Sequence, residues 1–473
     1  EKNAIVDLDD TITNKSESLP ALMGSENISS SSPVKNFQII VKIPKDKLLK
    51  YELLNDTLNP KIEAIENYTL YKWEFKNVSA DVHELLQSGK THPKLLFSTA
   101  NSEEVFSDFV SQEAFSYNIG ESEKKWVRKN TGLYKDEFQY IKTIQKAVVN
   151  DLNFWNIPLD ICGYKIRTTN ETWESNGGTK LEKTLLLCAL LSQANISAEP
   201  VVMIPNNCYN QNIGLLEFYD FFVKIKLRNE IVHYFSAINM NSQDEIFSNP
   251  NKTIIPLNIN NREVVETSRN LVNEVIVDYN FELNSSLSVS GNAILSLNNE
   301  NNPYVELQTD ESKVKKLLSS LAVKSFEIVE STPHQLQVKY NFDGDKPFRE
   351  HGSYYFWNLP SQTQGIRKLH IEQLAENRTT DLELEKLIVE KYTYSVELPE
   401  NYKLVSPLKN FSEKNNVGEL AMNFSIQDNL LKLERSIKLN KKNIHKTEYK
   451  HFRKLFSIWT NSKNWELIIK KTE

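Results

Sequence analysis

Short runs rich in apolar residues dominate the first hundred positions. Phe37-Gln38-Ile39-Ile40-Val41-Lys42-Ile43, within Val34 to Ile43, predicts a strand, and Pro44-Lys45-Asp46 a turn after it. Tyr68 to Phe75 alternates through much of its length as a half-buried strand does, and Lys94 to Ala100 is another strand. The Ser-rich stretch Ser25 to Pro33 reads as a loop. Residues up to about 115 therefore read as an antiparallel β domain. From Glu137 to Asp151 the period lengthens, and Tyr140, Ile141, Ile144, Val148 and Val149 fall on one face of a helix. Trp155, Ile157 and Pro158 follow as an aromatic loop.

The stretch from Asn176 to Ile204 organises the rest. Gly177 and Gly178 lead through Thr179 into Lys180-Leu181-Glu182-Lys183-Thr184-Leu185-Leu186-Leu187-Cys188-Ala189-Leu190-Leu191. A helix apolar on nearly every side is one buried inside a domain. Thr179 and Glu182 have the spacing of a capping box, in which the Thr hydroxyl accepts from the Glu182 amide and the carboxylate reaches back to the Thr179 amide. Asn195 stands where the helix should end, a residue that tolerates the left-handed turn. Ala198 to Ile204 then reads as a strand.

Leu215 to Leu227 and Ile231 to Ala237 predict two hairpin strands about a turn at Arg228-Asn229-Glu230. The Asn-rich connection from Met240 to Arg262, with Pro250 and Pro256, reads as a domain boundary. Beyond it, strands are expected at Val272–Leu283, Leu287–Leu297, Ser325–Val329, Gln335–Phe342, Tyr354–Leu359, Leu387–Leu398, Glu419–Ile426 and Leu430–Leu439. A short helix is expected at Lys313–Leu321, and a last one from about His445 to Trp459.

Length changes the picture by suggesting about three domains in 473 residues. A formal charge of −6 with intermixed Lys and Glu shows no basic stripe for nucleic acid. The longest apolar run, Leu185 to Leu191, is too short to span a bilayer. Cys162, Cys188 and Cys208 cannot all pair with one another, and neither they nor the eight His have metal-ligand spacing, so no metal and no cofactor are expected. The chain begins at Glu1 without Met or a signal-peptide core, as a mature fragment would, and its export cannot be read from that end.

The turn at Gly177-Gly178-Thr179-Lys180 and the buried helix after it resemble the core of the transglutaminase-like superfamily, where a Gly-Asp-Cys-Lys type of turn feeds such a helix. There the Cys is a nucleophile at a helix N-terminus, where the dipole favours thiolate. The resemblance puts Thr179 on that position, Asp220 on the position of the triad His and Ser236 on that of the triad Asp. It extends more loosely over residues 34 to 473, because the early strands and the closing helix resemble modules flanking such cores in a bacterial family of unknown function. It implies an α+β chain with a papain/transglutaminase-like core at 116–255, a β-rich sandwich-like domain at 1–115 and another β-rich domain ending in a helix at 256–473.

Chemistry follows from the substitutions. A carboxylate of ordinary pKa is a poor base for an aliphatic hydroxyl, and capping gives Thr179 a structural role. Cys188 lies nine residues beyond Thr179, on the opposite side of the helix, and His233 lies an odd offset from Ser236, so the two do not replace the lost pair. The expected function is non-catalytic: an exported, envelope-associated binding or assembly protein taking a peptide, protein or cell-wall ligand. Thr179, Trp173, Asp220 and Ser236 are its candidate cleft residues. The rival is an active hydrolase or acyltransferase with a rearranged Thr or Cys site. Carbohydrate-binding flanks are a third reading, for which the sequence offers no clustered aromatic platform.

Overall fold

The computed structural model describes residues 19–472 apart from 88–91, 132–136, 206–208, 217–219, 229–231, 241–251, 259–264, 267–271, 304–310, 319–320, 333 and 385. Cys208, the middle of the expected hairpin turn and most of the Asn-rich connection lie outside the described residues. The chain divides into two compact units. One is made of Glu1–Ser79, His92–Ser242 and Asn251–Thr267, the other of Ala80–Thr91, Gln243–Pro250 and Ser268–Glu473.

The first unit opens with β1 (Met23–Asn27), β2 (Val34–Pro44), β3 (Lys50–Leu54), β4 (Lys61–Ile65), β5 (Tyr68–Val78) and β6 (Lys94–Ser98). They form two antiparallel three-stranded sheets, ordered β1-β6-β3 and β2-β5-β4. Alternation decides which faces meet. Val41 and Ile43 of β2, Tyr71, Trp73 and Phe75 of β5, and Leu95 and Phe97 of β6 close on one core. Trp73 is fully buried there, and the Tyr51 ring of β3 meets it edge-on at 5.2 Å.

Residues just beyond β6, expected within the β domain, instead form the helix α1 (Ser102–Val110). Its start is fixed by a capping box, with Asn101 Oδ1 accepting from the Glu104 amide at 2.8 Å and Glu104 Oε2 from the Asn101 amide at 2.8 Å. Helix α2 (Glu121–Thr131) follows, and α3 (Glu137–Lys146) covers the first part of the expected helix. Its last part, Ala147–Asp151, widens into a π turn. Two carbonyls at that turn, of Val149 and Leu152, accept from the Lys183 ammonium at 3.4 and 2.9 Å.

The two-residue strand β7 (Asn153–Phe154), helix α4 (Thr169–Glu174) and two-residue strand β8 (Gly177–Gly178) lead into α5 (Lys180–Gln193). Every residue of α5 from Leu181 to Leu191 is buried, as the all-round apolar pattern demands. Leu186, Leu187, Leu190 and Leu191 pack with Val127 of α2 and Ile141 and Ile144 of α3, whereas Leu181 and Leu185 pack with Phe106 and Phe109 of α1. Beside α5 runs a five-stranded antiparallel sheet made of β9 (Ser197–Pro205), β10 (Asp220–Lys226), β11 (Val232–Phe235), β12 (Lys252–Pro256) and β13 (Val265–Glu266), in the order β11-β10-β9-β12-β13. The expected strand from Leu215 is corrected at its start: β10 begins at Asp220, and Leu215 and Leu216 lie outside it.

The second unit holds β14 (Val272–Leu283), β15 (Val289–Asn298), α6 (Glu311–Leu317), β16 (Val323–Ser331), β17 (Gln335–Asp345), β18 (Arg349–His351), β19 (Tyr354–Asn358), β20 (Leu382–Glu383) and β21 (Leu387–Glu397). It continues with β22 (Tyr402–Leu404), β23 (Phe411–Lys414), β24 (Gly418–Gln427), β25 (Leu430–Leu439), β26 (Asn443–Ile444), α7 (Tyr449–Thr460) and β27 (Glu466–Lys471). Eight of these strands make one sheet, ordered β16-β17-β15-β14-β21-β25-β24-β23, with β14 and β21 its parallel pair. A smaller sheet, β18-β19-β27-β22, shares its core: Phe281 of β14 meets Trp357 of β19 at 4.8 Å. Tyr449, Phe452, Phe456 and Trp459 of α7 are buried there too, at the helical spacing the sequence shows. Among the described residues no helix is long and apolar enough to cross a membrane.

Candidate functional site

Thr179 is the N-cap of α5. Its hydroxyl accepts from the Glu182 amide at 3.4 Å, and Glu182 Oε2 accepts from the Thr179 amide at 2.8 Å, completing the expected capping box. At the other end, Asn195 takes the left-handed conformation with φ 60°. The glycines before Thr179 answer to close approach. A Cβ on Gly177 would stand 2.9 Å from the Asn153 carbonyl oxygen, and one on Gly178 would stand 2.9 Å from Thr172 Cγ2 and 3.0 Å from Glu182 Oε2.

Glu182 has a second partner that the sequence reading missed. Arg167 donates from Nε to Oε1 at 3.0 Å and from Nη2 to Oε2 at 2.9 Å, a two-pronged grip, while its own amide donates to Oε1 at 3.2 Å. The same guanidinium reaches the Gly177 carbonyl at 2.9 Å and the Ser175 hydroxyl at 2.8 Å, and lies 4.4 Å from the centre of the Trp155 ring. Burial pushes the Glu182 carboxyl up, but Arg167 and the Thr179 amide together bring it below the ordinary range. The turn that carries Thr179 is thus held from both sides by a fixed anion.

Asp220 starts β10, and its carboxylate is held by the Lys180 ammonium and by the Phe221 amide at 2.9 Å. Lys180 Nζ also lies 5.4 Å from the centre of the Phe222 ring. Ser236 follows β11. Continuing the register Val223↔Phe235 by one residue sets it across from Phe222, two residues along β10 from Asp220. The Ser236 hydroxyl accepts from the amides of Ile238 and Asn239 at 3.2 and 3.1 Å, and its carbonyl accepts from the buried Gln145 side chain at 2.8 Å. Trp173, on α4, stacks edge-on against Trp126 at 6.0 Å. Cys188 is fully buried, its thiol pushed well up by burial and by the Glu199 charge. Cys162 donates to the Pro158 carbonyl at 3.4 Å, and its thiol is pushed up by burial and by Glu182 and Asp160, against Arg167.

A cavity of about 550 Å³ opens beside the start of α5. Thr179, Lys180 and Leu181 line it, with Met23 to Glu26 of β1, Asn156 to Asp160, Tyr164, Leu215, Leu216 and Phe221. Asp220, Ser236 and Trp173 do not line it. Of the four candidate cleft residues, the structure therefore brings Thr179 to the cavity and Asp220 to its neighbour Lys180, and turns Ser236 and Trp173 to other partners. β1 was missed as a wall of this cavity because Ser25 to Asn27 were read as loop. The chemistry on hand at the start of α5 is a capping hydroxyl, an ammonium neutralised by a carboxylate, and backbone, and Ser25, Glu26, Asp160 and Tyr164 add a hydroxyl, two carboxylates and a phenol to the lining. Among the described residues no imidazole lines the space.

Comparison with known proteins places these features. A domain of unknown function with a solved structure, DUF3858, matches residues 353–469, within the second unit. The crystal structure of a putative protease from Parabacteroides distasonis is 19% identical over 96% of this chain and 76% of its own, with a TM-score of 0.69, so the two share a fold. A putative cysteine protease from Cytophaga hutchinsonii is 10% identical over 52% of this chain and 87% of its own, with a TM-score of 0.21. No curated protein matches the chain.

Proposed function

We propose that this chain is a transglutaminase-like protein that has lost its triad and works by binding, at the cell envelope, a peptide held in the cavity beside α5. The capping of Thr179 carries this reading. The hydroxyl standing at the nucleophile's position is tied to the Glu182 amide, and the neighbouring carboxylate is tied to Lys180. A hydroxyl needs a base within hydrogen-bond reach to attack an acyl carbon, and a carboxylate neutralised by an ammonium is a weaker base still. A fold shared with a protein named for proteolysis supports a peptide as the ligand, while the capped hydroxyl and the paired carboxylate support binding over cleavage. The envelope location rests on the superfamily resemblance alone.

Neither described thiol supports the rival hydrolase. Cys188 is sealed in the core and Cys162 has a raised thiol that donates to Pro158. The test is alkylation with iodoacetamide followed by a peptide-cleavage and acyl-transfer assay. The binding reading expects peptide to bind equally before and after alkylation, with no product in either sample. Product in the untreated sample that alkylation removes would establish a thiol enzyme instead.

A further inference from the structure

β1 is an edge strand, and it is also a wall of the cavity. Its sheet runs β1-β6-β3, so β6 covers one side of it and no described strand covers the other. Two hydrogen bonds at its ends fix which backbone groups face which way. The Thr99 amide donates to the Leu22 carbonyl at 2.9 Å, and the Ile28 amide donates to the Pro93 carbonyl at 2.9 Å. In an antiparallel pair, hydrogen-bonded and non-hydrogen-bonded positions alternate. With Met23↔Ser98 and Gly24↔Phe97 in register, Leu22, Gly24, Glu26 and Ile28 bond to β6 and its flanks. Met23, Ser25 and Asn27 turn their amides and carbonyls to the open side.

We infer that an extended peptide with a basic side chain adds to this open edge as a further strand, lying along the cavity with its centre beside Thr179 and Lys180. This rests on the binding reading above and specifies the ligand and how it is held. An unpaired edge is a template for another strand, and soluble proteins normally cover it. Here Met23 to Glu26 line a cavity of about 550 Å³, within the ~300–1,000 Å³ range of ligand sites. Strand addition supplies main-chain hydrogen bonds for affinity and alternate side-chain positions for selection. The Ser25 hydroxyl on this strand is buried and has no hydrogen-bond partner among the described residues, a deficit that a strand added beside it can relieve by a small rotation of the side chain. Charge sets the preference. Glu26 and Asp160 line the cavity, and Lys180, the one lining cation among the described residues, is neutralised by Asp220. The local balance is negative, which favours a Lys or Arg side chain on the peptide.

The experiment uses the full chain and fluorescent acetylated hexapeptides with a central Lys, a central Glu, or a central Lys and one N-methylated amide moved along the backbone. Binding is read by anisotropy, turnover by mass spectrometry and oligomeric state by light scattering. The expected result is that the Lys peptide binds at least tenfold tighter than the Glu peptide. N-methylation should weaken it at least tenfold at every second amide and little at those between. Ser25→Pro removes an outward amide without touching a bond to β6, a substitution edge strands tolerate, and should weaken the Lys peptide tenfold. Should that variant not fold, the methylation scan alone decides. Binding insensitive to methylation and to Ser25→Pro would overturn strand addition yet leave the non-catalytic reading intact, and turnover would overturn that reading. Absence of any binding, or a dimer that Ser25→Pro splits without affecting peptide, would also overturn the inference.

Discussion

Arg167 and Glu182 meet through two parallel hydrogen bonds, Nε to Oε1 at 3.0 Å and Nη2 to Oε2 at 2.9 Å, and so hold the turn before α5. The Glu182 side chain is 5% exposed, so removing its partner leaves a buried charge uncompensated. Arg167→Ala should destabilise the chain by roughly 3 kcal/mol, the low end for breaking a buried pair, because Arg167 itself is partly exposed. Glu182→Ala should cost at least as much, since it also removes the cap on the Thr179 amide. Thr179→Ala should cost only about 1 kcal/mol. Urea denaturation of the three variants checks the order. The Glu182 carboxyl is held below its ordinary range, so its stabilisation is present above the unfolded value and lost as pH falls through the folded one.

Lys183 tilts stability the same way with pH, but through a cost of burial instead of a gain from pairing. It is fully buried, its ammonium donating to the carbonyls of Val149 and Leu152, and burial lowers that ammonium to about 8. Between about 8 and the unfolded value of 10.5 the folded chain binds fewer protons than the unfolded one, so this lysine makes stability rise with pH across that window. Lys183→Met should flatten that rise relative to wild type. Urea midpoints at pH 7.5 and 9.5 for both proteins check it, and parallel pH dependence in the two would contradict it.

Glu390 gives the reverse slope for the second unit, in the acid range. It is 3% exposed on β21, its Oε1 accepting from the Ile366 amide at 2.5 Å. Burial pushes its carboxyl up to about 7, and the Ile366 amide and the Arg435 charge recover only part of the cost. From the unfolded value of 4.5 up to about 7 the folded state holds the extra proton, so stability falls as pH rises. Glu390→Gln keeps an acceptor for Ile366 and should be more stable than wild type at pH 8, by about 2 kcal/mol or less. Thermal melts at pH 5 and 8 measure the difference.

Gly178→Ala places a methyl against Thr172 Cγ2 and Glu182 Oε2, and Glu182 cannot give way without loosening the capping box. A loss of about 1–3 kcal/mol is expected by denaturation, the usual cost of forcing a methyl into a packed site.

How far the sequence discloses this arrangement depends on how local each signal is. Helix α5 is legible because its apolar residues and Thr179-x-x-Glu182 sit in one window, and the hairpin β24–β25 because Gln427-Asp428-Asn429 divides two alternating runs. The same capping signature stands at Asn101-x-x-Glu104 and Thr168-x-x-Glu171, yet α1 and α4 went unread. The first abuts a strand, and the second opens a helix of only six residues with little apolar period. Contacts distant in sequence left no such trace. Arg167 finds Glu182 fifteen positions away, β14 pairs in parallel with β21 more than a hundred residues later, and β1 becomes a cavity wall only once β6 has set its register. Periodicity reports which face is buried, not what is buried against it.

The account stands most directly on turnover at Thr179. Wild type, Thr179→Ala and Thr179→Cys should be incubated with a mixed peptide library and an amine acceptor, and products counted by mass spectrometry. All three should show hydrolysis and acyl transfer at the level of buffer alone. A cysteine at 179 would have no imidazole to take its proton or to protonate a leaving amine, so it alone should restore nothing. Turnover by the wild type that Thr179→Ala abolishes would contradict the account.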